Sequence, residues 1–553
     1  MTKRVAIIGA AHRFPGTTPE TFWQDLQAEK DFVTQVAPDR WSQEAFRHPN
    51  KRNPGTSVTF AAGSLGDISG FDPEFFGISP REAANMDPQQ RMLLELTWET
   101  MEDAGLKPGG LRGSQCGVFL GVASLDYSYR MADDMASIDA TTATGNTSSI
   151  ASNRVSYVFD LHGPSMSLDT ACSSSMVAFH QACQAIRSGE TNMALAGGIS
   201  LHLHPYGFII FSKASMLSPT GRCQVFDEAG NGYVRSEGAG LFMLKDYDDA
   251  LADGDQILAV VAGSAVNTDG YKSGLTVPNP SAQVDLMRRA YQQAGITPDE
   301  IDYLEAHGTG TKVGDATEIK ALREVFGESD GTPWCALGSV KSQIGHAKAA
   351  AGAAGLIKTI LALHTKILPP TINVKKPQEV ITEGKTPFYV NTEARPWVTP
   401  ADKPRRAGVS AFGFGGSNFH CILEEYSHQK RFSDWDGAPQ ILAWSAATAT
   451  ELITDIEHSL AQLEQQPQAE EIRKLGASTR AGFDPSATQR LCCCIDDPAR
   501  THESLEQART LIESGKEHAF TPSGIYYSAA PSAAATDAKT AVLFPGQGAQ
   551  YPY

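Results

Sequence analysis

Two apolar runs, Val5-Ala-Ile-Ile-Gly-Ala-Ala11 and Ile257-Leu-Ala-Val-Val-Ala-Gly-Ser-Ala265, each open a succession of apolar strands, helical segments and polar loops. A chain of 553 residues is too long for one core. The repeated opening therefore predicts two related α/β halves meeting near residue 250. The first run lacks the G-x-G-x-x-G spacing of a dinucleotide fold, and that reading is rejected. Further along, Asp87 to Trp98 reads as a helix with proline at its entrance. Gly117 to Gly121, Ile301 to Ala306 and Ala336 to Val340 read as buried strands.

Beyond Glu425 the texture changes. Gln440 to Trp444 suggests a strand, Leu452, Ile453, Ile456, Leu460 and Leu463 form one stripe of an amphipathic helix, and Leu491 to Ile495 is a second strand. A helix around Leu505 to Ile512 and the low-complexity Ala529 to Thr536 follow, as expected of a small α/β linker domain ending in a tether.

Hydrophobic residues make up 41% and charged residues 20%, the balance of a soluble globular protein. A net charge of −17 argues against a nucleic-acid surface, which needs basic clusters. The nine cysteines lack metal-ligand spacing, and Cys492-Cys493-Cys494 reads as part of a buried strand, so a reducing cytoplasm fits. Lys3-Arg4 and the short apolar run after them imitate a signal peptide but lead directly into His12-Arg13. Ala349 to Leu363 is interrupted by Lys358 and by glycines, which favours a buried helix over a membrane span.

Cys172 lies in Ser165-Met-Ser-Leu-Asp-Thr-Ala-Cys-Ser-Ser-Ser175, where a strand pattern (Met166, Leu168) gives way to helical spacing (Met176, Phe179, Cys183, Ile186) closed by Ser188-Gly189. A thiol there faces the unpaired N–H groups of a first helical turn, which favour thiolate. On the residues alone Cys172 is either a nucleophile or a small buried hydrophobe. Two histidine stretches lie far downstream. Glu305-Ala-His-Gly-Thr-Gly-Thr311 puts His307 at a strand end in a glycine loop, and Gly338-Ser-Val-Lys-Ser-Gln-Ile-Gly-His-Ala-Lys348 puts Lys341 after a strand and His346 at a helix start. Each histidine alone is more often structural; a cysteine with two histidines at element ends is harder to dismiss. Ala411-Phe-Gly-Phe-Gly-Gly-Ser-Asn418 has the loop character that places a backbone N–H beside a reacting carbonyl, or is a plain tight turn. His202 and His204 share one strand face but have no third ligand, so no metal site is expected.

Together, Asp169-Thr-Ala-Cys-Ser-Ser-Ser175, Glu305 to Thr311, Lys341 to His346 and Gly413-Phe-Gly-Gly-Ser-Asn418 resemble the β-ketoacyl synthase domain of type I polyketide synthases. The resemblance implies a thiolase fold, two βαβαβαββ halves in five layers, over residues 1–427, split into about 1–250 and 251–427. It implies a ketosynthase-acyltransferase linker domain at 428–539. Phe544-Pro-Gly-Gln-Gly-Ala549 resembles an acyltransferase opening, so 540–553 would be its truncated start in a chain that natively continues into further synthase domains. With the fold expected to begin at Arg4 and no docking helix before it, the first or only ketosynthase of a synthase polypeptide is favoured.

The resemblance also implies roles. Cys172 would accept an acyl chain from acyl carrier protein. His307 and His346 would hold the enolate oxygen formed by decarboxylation of a malonyl-type extender, and the N–H groups of Cys172 and Phe414 would form an oxyanion hole. Lys341 would pair with Glu318, as a catalytic or equally as a structural ion pair. Thr309 and Thr311 would bind the phosphopantetheine arm; Tyr233 and Phe414 would gate the acyl tunnel. No permanently bound cofactor, a homodimer, and a positive patch at the tunnel mouth are expected. The alternative is a condensation-incompetent or chain-length-controlling homologue, which replaces the cysteine or loses a histidine; all three residues are present. Departures from the family pattern are His12 for cysteine, Asn231 for aspartate and Phe419 for a small residue.

Overall fold

A computed structural model of the chain describes residues 3–16, 18–400, 403–426, 439–463 and 467–530. It divides into two compact units, residues 1–433 and 434–553. The acyltransferase-like opening and most of the expected tether lie outside the described residues.

The first half of the first unit runs β1 (Val5–Arg13), α1 (Pro88–Asp103), β2 (Gly117–Val122), α2 (Ser148–Phe159), β3 (Ser165–Leu168), α3 (Ser174–Ser188), β4 (Met193–Ser200) and β5 (Gly238–Asp246). The second half repeats that order: β6 (Ala259–Thr268), α4 (Pro280–Ala294), β7 (Tyr303–Glu305), α5 (Lys312–Phe326), β8 (Cys335–Gly338), α6 (Ala351–Thr365), β9 (Arg406–Phe412) and β10 (Ser417–Glu424). Both are βαβαβαββ units, and their pairings agree strand for strand. In the first, β2 is parallel to β3 and β4 while β5 is antiparallel to β4 and β1. In the second, β7 is parallel to β8 and β9 while β10 is antiparallel to β9 and β6. Antiparallel pairing of β1 with β6, Val5 opposite Val261, joins them into one eleven-stranded sheet with Phe388–Val390 at one edge and β3 at the other.

Helices α3 and α6 occupy the same place in the two repeats. They pack against each other between the half-sheets, while α1 and α2 cover one outer face and α4, flanked by α5, the other, giving five layers. Burial explains the composition of α6. Its apolar residues point all ways because it is surrounded, and its one lysine, Lys358, is fully buried 3.1 Å from the buried Glu305 carboxylate. Close approach explains Gly352. A Cβ there would lie 2.1 Å from Met176 Cγ of α3.

The strand pattern of Met166 and Leu168 forms β3, which is the outermost strand of the sheet, and Met166 on it is exposed. The second unit pairs β11 (Gln440–Ala446), β12 (Gln489–Ile495), β14 (Ile525–Ser528) and β13 (His518–Phe520) into an antiparallel sheet, in that order. Its helices α7 (Ala449–Gln462), α8 (Ala469–Ala481) and α9 (Thr501–Glu513) complete a separate core containing Leu442, Leu452, Ile456, Leu491 and Leu505. Cys493 is buried in that core and Cys492 and Cys494 are half-buried, as strand alternation requires. Among the described residues no helix is long and apolar enough to cross a membrane.

Candidate active site

The turn between β3 and α3 is strained and held by hydroxyls. Ala171 has φ +57°, the left-handed region that costs a residue with a Cβ about 1–2 kcal/mol. Asp169 Oδ1 accepts the Ala171 N–H at 2.8 Å; Ser174 Oγ accepts the Thr170 N–H at 2.9 Å and donates to the Ala171 carbonyl at 2.7 Å. A single 3-10 turn, Ala171–Ser173, then lifts Cys172 to the start of α3. The loop after β9 presses on this turn, and a Cβ on Gly413 would lie 2.4 Å from the Thr170 carbonyl oxygen. The polar residues around Cys172 are thus spent on shaping its turn.

His307 follows β7 in a loop held by carboxylates. Glu318, on α5, accepts the N–H groups of His307 at 2.7 Å and Gly308 at 2.8 Å; Asp315, one turn earlier, accepts those of Thr309 and Gly310. Burial raises both acids, Asp315 to about 6 and Glu318 to about 7, against the backbone donors that favour the carboxylates. His346 follows the one-turn helix Lys341–Ile344 that succeeds β8.

Both imidazoles are oriented in the same way. The Phe412 N–H donates to His307 Nδ1 at 3.3 Å, and the Lys348 N–H donates to His346 Nδ1 at 3.1 Å. A ring nitrogen that accepts carries no proton, so each neutral ring keeps its proton on Nε2. Burial first, and neighbouring cations second (Lys341 for both; Lys348 and Arg235 for His346), hold both pKa values well below the ordinary imidazole range. The site therefore contains two neutral Nε2–H donors. Their ring centroids are 5.7 Å apart, with planes at 83°.

A cavity of about 470 Å³ is lined by Cys172, His307 and His346 together with Tyr233, Thr309, Thr311 and Phe414. The hydroxyls of Thr309 and Thr311 are 3.0 Å apart. Phe414 is exposed, its ring 5.8 Å edge-on from Phe211, and its backbone N–H makes no hydrogen bond among the described residues. Tyr233 is buried, its ring 5.1 Å from that of His346.

The Lys341 and Glu318 pairing differs from expectation. Both Glu318 oxygens are taken by backbone N–H groups, and among the described residues no ion pair joins it to Lys341. Burial lowers the Lys341 pKa, while Glu305 and Glu318 act on it in the opposite sense. The two residues share a neighbourhood without touching.

Several residues of the site carried no recognisable signal. Asp269 fixes the glycine loop by accepting from Asn418 Nδ2 at 2.8 Å and donating its N–H to the Gly416 carbonyl at 2.9 Å. It is distant in sequence from the loop it holds. Phe211, on the helix Tyr206–Lys213, and Lys348, two residues past His346, also line the cavity. Of the departures from the family pattern, His12 is half-buried beside Phe14 and Phe22, its pKa lowered to about 4 chiefly by desolvation. Asn231 Oδ1 accepts from Ser218 Oγ at 2.7 Å, and Phe419 is fully buried in β10. His202 is buried and His204 Nδ1 accepts the Tyr206 N–H; no group of metal-ligating side chains gathers among the described residues.

Residues 2–250 match the family Beta-ketoacyl synthase, N-terminal domain; residues 258–375 match Beta-ketoacyl synthase, C-terminal domain; residues 377–484 match Ketoacyl-synthetase C-terminal extension. Over 425 residues, 76% of this chain, the sequence is 49% identical to a component of the phenolphthiocerol/phthiocerol polyketide synthase of Mycobacterium tuberculosis, of which it covers 27%. Over 427 residues it is 46% identical to polyketide synthase GfsE of Streptomyces halstedii, of which it covers 11%. The chain thus spans about a quarter, or less, of the curated relatives it matches. Among solved structures, the ketosynthase from module 6 of the bacillaene synthase of Bacillus subtilis is 37% identical, with a TM-score of 0.73 covering 92% of this chain and 85% of that one. An oxazolomycin ketosynthase domain of Streptomyces albus is also 37% identical, with a TM-score of 0.74 covering 92% and 89%.

Proposed function

This chain belongs to the β-ketoacyl synthase family, with relatives among type I polyketide synthases, and from that premise we propose that it elongates an acyl chain by decarboxylative condensation. In the loading step Cys172 attacks the thioester of an acyl-carrier protein, and the carrier thiol leaves as the acyl chain passes to sulfur. In the second step a malonyl-type thioester on carrier protein loses CO₂. The electron pair of the broken carbon–carbon bond moves through the α-carbon onto the thioester oxygen. The enolate carbon then attacks the Cys172 thioester, and sulfur leaves as the β-ketoacyl-carrier protein forms.

The observation that carries this reading is the shared tautomer of the two histidines. A developing enolate oxygen needs preorganised donors that hold their proton rather than transfer it, and neutral Nε2–H groups of His307 and His346 meet that need. The Phe414 N–H, left without an intramolecular acceptor among the described residues, supports an oxyanion hole completed by the N–H of Cys172. The adjacent hydroxyls of Thr309 and Thr311 suit the amides of a phosphopantetheine arm, which would deliver both substrates on acyl carrier protein. Lys341 would act through the field it sets at both histidines, and Glu318 by holding the His307 backbone. Tyr233 and Phe414 face the cavity where an acyl chain would pass.

A homodimer is part of this proposal. The edge strand β3 has no partner on its outer side among the described residues, and Met166 and, nearby on α2, Tyr157 are exposed. A second copy paired along β3 would cover them.

The test is sequential. Incubation with acyl-carrier protein should add the acyl mass to Cys172 by intact-mass spectrometry, and malonyl-carrier protein should then yield β-ketoacyl product. Loading without product, under conditions where the carrier protein is intact, would refute condensation.

A further inference from the structure

The wall of the cavity contains a cation that the mechanism above does not use. Lys348 lies two residues past His346 and is partly exposed along the cavity. Its Nζ donates to Tyr233 Oη and stands 3.3 Å from the Phe211 ring centroid and 4.5 Å from that of Tyr233. The Tyr233 ring in turn borders His346. The amine is thus tethered beside an imidazole proposed to hold the thioester oxygen, in the same cavity as Cys172.

Lys348 alone of the cations near the cavity joins a partly exposed place on the cavity wall to the lack of any carboxylate partner among the described residues. Lys272, also on the cavity wall, is paired with Asp269. Arg235 is buried behind, its guanidinium 5.0 Å and 5.5 Å from the rings of Phe208 and Phe211. Lys312 is exposed to solvent. A cation drawn out of water is stabilised by an anion, and in this cavity one can arrive with a substrate. Of the two substrates, the extender brings it: its carboxylate lies one carbon beyond the α-carbon, next to the thioester carbonyl that the histidines would hold.

Resting on the ketosynthase reading, we propose that Lys348 is a specificity-determining residue that recognises the carboxylate of a malonyl-type extender thioester and so separates it from neutral acyl thioesters. The role is binding alone. Lys348 neither gives nor takes a proton when CO₂ leaves, and the electron pair of the broken bond passes through the α-carbon to the thioester oxygen as before.

The ammonium is easily neutralised, which supplies a signature. Burial lowers its pKa to about 7; the Cys172 sulfur acts to raise it and Arg235 to lower it further, while Tyr233 and the neutral His346 complete the groups facing it. Carboxylate recognition should therefore weaken as pH rises through about 7.

The experiment uses the full chain and does not depend on turnover. Protection of Cys172 from alkylation is measured with the amide analogues of malonyl-pantetheine and acetyl-pantetheine, in which nitrogen replaces the thioester sulfur so that no acyl group passes to Cys172, from about pH 6 to about pH 8.5. In the wild type the malonyl compound should protect about tenfold more tightly at the low end, the scale of one charge-assisted hydrogen bond, and lose that advantage at the high end. Lys348→Met should remove the advantage at every pH, and Lys348→Arg should restore it without the fall above neutrality. Equal weakening of both compounds in Lys348→Met, or a preference that persists in that variant, would overturn the proposal. The ketosynthase reading fails separately: it falls if the wild type shows the preference but forms no β-ketoacyl product.

Discussion

Replacing His307 with alanine tests the pairing of the two imidazoles most directly. The substitution removes one Nε2–H from the cavity and leaves the turn around Cys172, with its own hydroxyl network, in place. Loss of one preorganised donor to a developing oxyanion costs about 2.7–4 kcal/mol, or about 10²–10³ in rate. A second cost falls on stability, because the Phe412 N–H loses its acceptor. That bond is long at 3.3 Å, so the cost belongs at the low end of about 1–3 kcal/mol. The two effects separate by step. Acyl transfer to Cys172, followed by intact mass, draws on the sulfur and the glycine-loop N–H and should fall much less than condensation. Single-turnover condensation from preloaded Cys172, measured well below the unfolding temperature, should fall by the full factor. A loss under about tenfold, or equal losses in loading and condensation, would refute the assignment of an enolate-holding donor.

Other outcomes follow from the same geometry. Lys358→Met leaves the Glu305 carboxylate buried without its cation and should destabilise the first unit by about 3–5 kcal/mol in urea unfolding; a smaller cost would mean that Tyr303 and Val340, which also donate to Glu305, suffice. Gly352→Leu drives a side chain into Met176 and should lower the melting temperature, with an overpacking cost of about 1–3 kcal/mol or more. Glu318 is raised in the fold to about 7, so the stabilisation it contributes is complete below its unfolded value near 4.5 and is lost as pH rises through about 7. The stability of Glu318→Gln relative to wild type should accordingly improve as pH rises over that interval, and a flat difference would contradict the burial of this acid. Both histidines are depressed, so they stay neutral as pH falls below 6.5 and give no inflection in condensation near that value; a loss of rate centred there that disappears in either histidine variant would count against the tautomer argument.

Much of the framework follows from local pattern. The repeated apolar openings at Val5 and Ile257 anticipate β1 and β6, and the helical spacing after Cys172 with Gly189 at its end anticipates α3, because periodicity and capping act over a few residues. The same holds for the apolar segment that becomes α6. What such patterns leave open is partnership across the chain. Whether Met166 faces a core depends on which strand lies beyond β3. The motif that suggests a pair between Lys341 and Glu318 says nothing of the backbone N–H groups that claim both carboxylate oxygens.

The residue types needed for thioester chemistry, one thiol and two imidazoles at the ends of elements, were determined by the order of amino acids alone. Their chemical state was decided only by tertiary structure. Which nitrogen of each ring carries the proton depends on an amide from Phe412 in one case and from Lys348 in the other, and the charge of each ring depends on burial between half-sheets contributed by distant segments. Hydrophobic period and turn chemistry are local forces. Desolvation and hydrogen-bond direction arise only when distant parts of the chain are brought together.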